Sequence, residues 1–540
     1  MSPPRGTGIR RTAIAPLAWF VILILPAALT LSAAEPWDLD AGQLLLASGW
    51  SIICLRLLVP PRVFPWLTYP LALFGLACLV ADLLRNVNLL ELAAEWNTFN
   101  AAEVAEATAP YRWMLAGTSV GLGVLCWWAA RGAGPHPLGA GVRYSAVLVG
   151  TACLAVLLPA ATWPRAWPVN ATLVGVAFAV NSPAVAHAAS SVTLASPRNP
   201  QSSWEATRVA APSARQTMIL LIGESVRADF LRECGGPAAV RAVRAGALVA
   251  CDVAAGANAT HTSVPLLISR EWPGYGARVS NDATFQRAFE EAGFRTYWFG
   301  TQGNSIAWPD AMVQAYPVER DPEGLLPLLD RVLASPEPAS SIVLHGYGAH
   351  APYCERFDAK ASPAGAGCPI PPSGPTHADL ARWRSVYAGA VDASVDFLNQ
   401  VIERLERVPG EAFLVYTPDH GENLLDDRRA LYGHALRHPT RWDTHVPAVF
   451  WANAAWKAAH PQAWAQLSAN TRAPLMHADL VPTLLGAAQV RYRERPRPAV
   501  NLLQQPVPAR QRVVQKALGA VSAWDTLVFE AGEPARRPAP

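Results

Sequence analysis

The run Thr217-Met218-Ile219-Leu220-Leu221-Ile222, passing directly into Gly223-Glu224-Ser225, decides the fold of the larger part of this chain. Five apolar residues in succession, stopped by a glycine, read as a strand buried on both faces, because no polar side chain alternates with them. The same grammar continues downstream. Arg295–Phe299 is a strand that follows a helical stretch around Phe285–Ala292. Ser341–Leu344 and Ala412–Tyr416 are further strands. Between those two, Ala378–Arg407 carries apolar residues at helical spacing and reads as one or two helices. Val446–Trp451 is another strand. Strands that alternate with helices predict a mostly parallel sheet covered on both faces. In such sheets ligands collect beyond the carboxyl ends of the strands.

The residues just past these strands share a chemistry. Glu224 follows the first. His345 and His350 follow Ser341–Leu344. Asp419, His420 and Glu422 follow Ala412–Tyr416, with His434 shortly after. Carboxylates and imidazoles are the donors zinc takes, at roughly 2.0–2.2 Å. Each alone has a bland reading, as a helix cap or a hydrogen-bonded turn. Their joint appearance on one rim points to a metal centre.

Upstream the sequence changes character. The chain has 540 residues and is 51% hydrophobic, an average over two unlike halves. Ala13–Ala34 carries no charge and is long enough to span a hydrocarbon layer of ~30 Å. Ala41–Val59, Val63–Ala81, Trp113–Ala130 and Tyr144–Trp163 are four further candidates, the first of them interrupted by Arg56. A cleaved leader is the competing reading of the first run, which is long for one and precedes four more spans. Basic residues (Arg5, Arg10, Arg11, Arg62, Arg131, Arg143) mark one side of these spans. Acidic ones (Glu35, Asp38, Asp40, Glu91, Glu95, Glu103, Glu106) mark the other. The positive-inside bias then puts everything after span five outside the cytoplasm. Ala171–Val180 is too short to cross and is expected on the membrane surface. The Ala-, Ser- and Pro-rich stretch up to Arg215 reads as a linker. A formal charge of +3, with no basic tract interleaved with aromatics, gives no case for nucleic acid.

Cys54, Cys78, Cys126 and Cys153 sit in or beside the spans, as small apolar residues. Cys234, Cys251, Cys354 and Cys368 lie in the outer domain, where disulfides are permitted. Four cysteines allow three pairings. Proximity favours Cys234–Cys251 and Cys354–Cys368, each worth roughly 3 kcal/mol on the chain-entropy estimate.

Taken together, the motifs resemble those of the phosphoethanolamine transferases of the Gram-negative inner membrane, within the sulfatase and alkaline-phosphatase superfamily. Gly223-Glu224-Ser225-Val226-Arg227-Ala228-Asp229 resembles that family's first block, and Asn258-Ala259-Thr260-His261-Thr262-Ser263-Val264-Pro265 its second. Gly348-Ala349-His350-Ala351-Pro352-Tyr353, Thr417-Pro418-Asp419-His420-Gly421-Glu422, Leu431-Tyr432-Gly433-His434 and Thr444-His445-Val446-Pro447 follow in the family's order.

The resemblance implies a transmembrane domain of five helices over 1–165, a periplasmic interfacial segment and linker over 166–214, and a periplasmic catalytic α/β domain over 215–540. It implies one zinc held by Glu224, Thr260, Asp419 and His420, with Thr260 as nucleophile. His350 and His434 would face the substrate, binding a second zinc or serving the departing group. The implied donor is phosphatidylethanolamine, and the acceptor is lipid A, a lipopolysaccharide core sugar or another envelope glycan. The implied enzyme is a monomer among membrane lipids. Thr262 and Ser263 are read as shaping the turn and His445 as structural, while Glu422 stays open between a group behind the ligands and a solvated one.

Departures are also present. Leu266-Leu267-Ile268 replaces the family's Cys-Met-Phe, alanine replaces glycine after His350 and His434, and Asn423 replaces a serine. A glycerophosphotransferase of the lipoteichoic-acid type and an inactive scaffold on the same fold are the competing functions. A true sulfatase is excluded, because Leu267 stands where its nucleophile motif requires arginine.

Overall fold

The computed structural model describes residues 39–60 and 139–157, scattered positions between them, and most of 203–527. The longer breaks in that last stretch are 210–213, 275–282, 302–310, 316–321, 357–377, 428–430, 437–438, 495–498 and 516–520. The chain divides into two compact units, Met1–Leu194 and Ala195–Pro540.

In the first unit, helices α1 (Leu39–Leu58) and α2 (Ala140–Leu157) occupy two of the five expected spans. Gly150 lets them approach, since a methyl group there would meet the Trp50 ring at 2.1 Å. Trp50 Nε1 donates to Thr151 Oγ1 at 3.1 Å, and Arg143 donates to the Leu57 carbonyl at 2.9 Å. Among the described residues, no helix is long and apolar enough to cross a membrane. Ala13–Ala34, Ala171–Val180 and most of Val63–Ala81 and Trp113–Ala130 lie outside the described residues.

The second unit is built on one eight-stranded sheet. Its strands are β1 (Gln216–Gly223), β2 (Leu248–Ala254), β3 (Arg295–Gly300), β4 (Val313–Ala315), β5 (Ala339–His345), β6 (Glu411–Pro418), β7 (His445–Ala452) and β8 (Leu475–Met476). They lie in the order β8-β2-β7-β6-β1-β5-β3-β4. β7 alone in this sheet is antiparallel to its neighbours. The other seven strands therefore aim their carboxyl ends at one rim, and β7 starts there. Register aligns the rim closely: Gly223 faces Pro418, Ile222 faces His345, and Ala254 faces both His445 and Met476.

β1 is central and wholly buried. Because successive side chains point to opposite faces, it serves two cores. Met218, Leu220 and Ile222 join one with α3 (Thr260–Ile268), α4 (Phe285–Glu291) and α9 (Leu480–Ala487), while the short α7 (Ala454–Ala459) and α8 (Pro461–Asn470) close its end. Ile219 and Leu221 join the other, with α5 (Leu326–Leu333) and α6 (Leu380–Leu405). The expected layered α/β domain with a mostly parallel sheet is thus the observed one. Within the stretch Ala378–Arg407 there is a single helix, Leu380–Leu405. β2, β4 and β8 were not expected from the sequence, being short or broken by small and polar residues.

The second unit also reaches further back than Arg215. Trp204, in the stretch read as linker, is fully buried and donates from Nε1 to the Ala283 carbonyl at 3.0 Å. Beside it, Thr207–Arg208 pairs with Val490–Arg491. The Cys234–Cys251 disulfide is present. Cys354 is also disulfide-bonded, and Cys368, its expected partner, lies outside the described residues.

Candidate active site

Glu224 is the first residue past β1, and it is fully buried. Its position depends on two unusual backbones. Ser225 adopts φ 58°, which turns its N–H toward Asp419 Oδ1 at 3.2 Å and its hydroxyl toward Glu224 Oε1 at 2.9 Å. Gly348 adopts φ 45°, and a methyl group there would lie 2.5 Å from the Glu224 nitrogen. Only glycine lets this turn approach so closely. The next residue, Ala349, then donates its N–H to the Glu224 carbonyl at 2.8 Å.

Asp419 and His420 come off the neighbouring strand β6 and are also fully buried. His420 N–H donates to Asp419 Oδ1 at 2.8 Å. His420 Nδ1 sits 2.8 Å from the Gly421 carbonyl, which makes Nδ1 the protonated nitrogen and leaves Nε2 as the free donor atom. That Nε2 lies 3.2 Å from Glu224 Oε1 and 3.4 Å from Asp419 Oδ2.

Thr260 opens α3, one loop beyond β2. Its Oγ1 is 3.2 Å from both Glu224 oxygens and 3.1 Å from His420 Nε2. The first N–H groups of α3 have no partner within the helix, so the hydroxyl stands where a helix favours negative charge. Ser263, one turn on, donates to the Asp419 carbonyl at 2.6 Å. This ties the helix to the end of β6, a more specific task than the turn-shaping expected of it.

His350 and His434 stand beside Glu224 and are half-buried. Their rings are 5.2 Å apart, and the His434 ring is 4.2 Å from that of His420. The open question about Glu422 is answered. It is fully buried, with its carboxylate 3.1 Å from His434 Nδ1. Burial pushes Glu422 up to about 8, against the pull of His420 and His350. His345 belongs to neither group of donor atoms that could share a metal, although it feels the charge of Glu224. It closes β5 facing inward against Trp298, and burial lowers it to about 4. His445 packs on Trp524, away from the ligands.

The electrostatics of the centre are those of a cation site. Burial and the neighbouring Glu224 raise Asp419 to about 8. Burial disfavours a charged His420, but Asp419 and Glu224 outweigh it and push the imidazole up to about 10. Asp419 Oδ2 is buried with no hydrogen-bond partner, the mark of a donor atom aimed at something other than protein. Donor atoms of Glu224, Asp419 and His420 fall within 4.8 Å of one another, and so do those of Glu224, His350 and His434. Two carboxylates, an imidazole and a hydroxyl suit zinc.

Several supporting residues escaped the sequence reading. Thr440 and Asp443 have no spacing that signals them, and Asn258, which opens the second block, is given no role there. His477 is another. It is buried 3.2 Å from Thr417 Oγ1, and burial lowers it to about 3.

The sulfatase family model matches residues 216–490, just over half of the chain, and the chain belongs to that family. Among relatives, YhbX of Escherichia coli K12 is 28% identical over 255 residues, covering 44% of this chain and 43% of that protein. Phosphoethanolamine transferase OpgE of the same organism is 26% identical over 275 residues, covering 47% and 48%. The chain thus spans less than half the length of these relatives. The full-length integral membrane protein lipooligosaccharide phosphoethanolamine transferase A from Neisseria meningitidis superposes with TM-score 0.60 at 17% identity. That superposition covers 89% of this chain and 96% of the other. The C-terminal periplasmic domain of E. coli EptC, in complex with zinc, gives TM-score 0.51 at 20% identity, covering 60% and 96%. At these identities the two structures speak for the fold.

Proposed function

We propose that this protein is a membrane-anchored transferase. It takes phosphoethanolamine from phosphatidylethanolamine and passes it to an envelope acceptor, lipid A or another glycan, in the periplasm. The observation that carries the reading is the hydroxyl of Thr260 within 3.2 Å of Glu224 and His420, inside a buried donor set completed by Asp419. The names of the relatives, the fold shared with a full-length membrane transferase and the five apolar runs support it.

Glu224, Thr260, Asp419 and His420 would hold one zinc. When bound, zinc lowers the pKa of a coordinated hydroxyl and offsets charge on phosphoryl oxygens. Thr260 Oγ, passing its proton to the Glu224 carboxylate 3.2 Å away, attacks the phosphorus of the donor, the bond to diacylglycerol breaks, and phosphoethanolamine stays on the threonine. His434, held by Glu422, and His350 beside it are half-buried next to Glu224. There they can give a proton to the departing alkoxide and take one from the acceptor hydroxyl, or hold a second zinc. The acceptor oxygen attacks the phosphorus, and Thr260 leaves.

Purified protein incubated with phosphatidylethanolamine and no acceptor should gain the mass of one phosphoethanolamine group, mapping to Thr260. Thr260→Ala should lose transfer by several powers of ten while staying folded. Near-normal transfer by that variant, or an adduct on Thr262 or Ser263, would sink the proposal.

A further inference from the structure

The nucleophile loop and the His434 loop are joined by a buried polar clasp with Asp443 at its centre. Asp443 Oδ2 accepts from Asn258 Nδ2 at 3.0 Å and from Asn423 Nδ2 at 3.1 Å, while Oδ1 accepts from Thr440 N–H at 2.7 Å. The two asparagines hold the main chain on both sides of His434. Asn423 Nδ2 also donates to the Gly433 carbonyl at 2.8 Å, and Asn258 Nδ2 to the Leu436 carbonyl at 2.9 Å. Ala435 N–H donates to the Asn258 carbonyl at 2.7 Å. Thr440 Oγ1 closes the ring by donating to Asn423 Oδ1 at 2.7 Å and accepting from Asp443 N–H at 3.1 Å. All four side chains are buried, with Asp443 fully so. Asn258 stands two residues before Thr260, and positions 433, 435 and 436 flank His434. One carboxylate therefore joins the side chains that hold the two loops, without touching Thr260 or His434.

We infer that Asp443 is a positioning residue. It fixes the separation of Thr260 and His434 through Asn258 and Asn423, and so the alignment of attack with proton transfer. The inference rests on the reading of Thr260 as nucleophile, and only an acceptor at position 443 serves it. In Asp443→Asn the amide must turn its NH₂ either toward the two asparagine NH₂ groups or toward Thr440 N–H. Each choice leaves buried donors facing a donor. The sheet beneath keeps its hydrogen bonds, so the strain is confined to the two loops.

The test uses the full chain in detergent with a fluorescent phosphatidylethanolamine, and amide hydrogen exchange on the same samples. Asp443→Asn should lower kcat about 10–100-fold with KM within about twofold, as expected when reacting groups are misplaced by an ångström or less. Exchange should quicken together in peptides covering 255–262 and 431–436, with β1 and β6 unchanged. An unchanged kcat, quickening in only one loop, or equal quickening in the sheet overturns the clasp. Should Asp443→Asn not accumulate, Asn423→Ser cuts one limb alone. It should slow kcat about 3–10-fold and loosen 431–436, and wild-type behaviour from it also overturns the clasp. A wild-type protein that forms no Thr260 adduct refutes the transfer reading instead, and the exchange data still decide whether Asp443 couples the loops.

Discussion

Gly348 and Ser225 press against Glu224 from two sides, both at positive φ. Gly348→Ala would combine a left-handed alanine with a methyl group driven into the backbone of Glu224, so we expect a loss of about 2–4 kcal/mol in urea unfolding. Zinc affinity should fall with it, and an unchanged midpoint would count against the packing described. His477 makes a prediction about pH. Its folded pKa, about 3, lies below the unfolded value near 6.5, so the unfolded chain takes up a proton first. Its contribution is intact above about pH 6.5 and is lost as pH falls toward 3, at about 1.4 kcal/mol per unit. In metal-free protein His477→Gln should flatten the stability profile between pH 6.5 and 5 by one proton's worth. An equally steep profile in that variant would show that His477 is not the group. At this scale the sequence discloses the strand-end residues that come together in one buried donor set, Glu224, Asp419 and His420. It cannot disclose Asp443 or His477, because what makes them matter is burial beside residues scores of positions away.

At the scale of elements, strands with unbroken apolar runs, such as β1, β5, β6 and β7, are readable because burial on both faces leaves no polar interruption. β2 is not, since Cys251 and Asp252 interrupt it, and Thr260 was therefore placed by family resemblance rather than by its strand. The pair Val513–Gln515 and Val521–Ala523 near the C-terminus shows a different dependence. It delivers Trp524, fully buried, between the guanidinium groups of Arg441 at 4.3 Å and Arg512 at 4.0 Å. Trp524 Nε1 donates to Thr444 Oγ1 at 2.9 Å, and Gln515 N–H donates to the Gly256 carbonyl at 2.8 Å. This hairpin backs the start of β7 and the loop that leads to Thr260. Trp524→Ala should cost about 3–5 kcal/mol, read by denaturant unfolding of the second unit. A cost under 1 kcal/mol would mean the hairpin is a loose appendage.

For the molecule as a whole, the transfer reading joins a donor that lives in a bilayer to a site in the second unit. A detached second unit, begun before Trp204 so that its buried ring is kept, should fold and bind zinc. It should turn over phosphatidylethanolamine in vesicles far more slowly than the full chain, because the apolar runs upstream would hold the site at the head groups. Equal rates on vesicles would remove the role given to the apolar runs. Five apolar runs are plain in composition alone. That Trp204 belongs with the second unit is not, because it sits in an Ala-, Ser- and Pro-rich stretch with no periodic apolar pattern.

The order of strands in the sheet also sets a timetable. β1 is the first of the eight to leave the ribosome, yet its two neighbours are β5 and β6, more than a hundred residues later. Until 339–345 and 411–418 have followed, this apolar strand has neither of its native edges, and pairing of such sequence-distant strands is slow and exposed to aggregation. The Cys234–Cys251 loop can close early, since both cysteines emerge within 17 residues of each other. The pocket assembles only when β6 docks beside β1. The small loop is thus free to close before the donor set exists, and the yield in a cell should depend on whatever shields Met218–Ile222 through that interval.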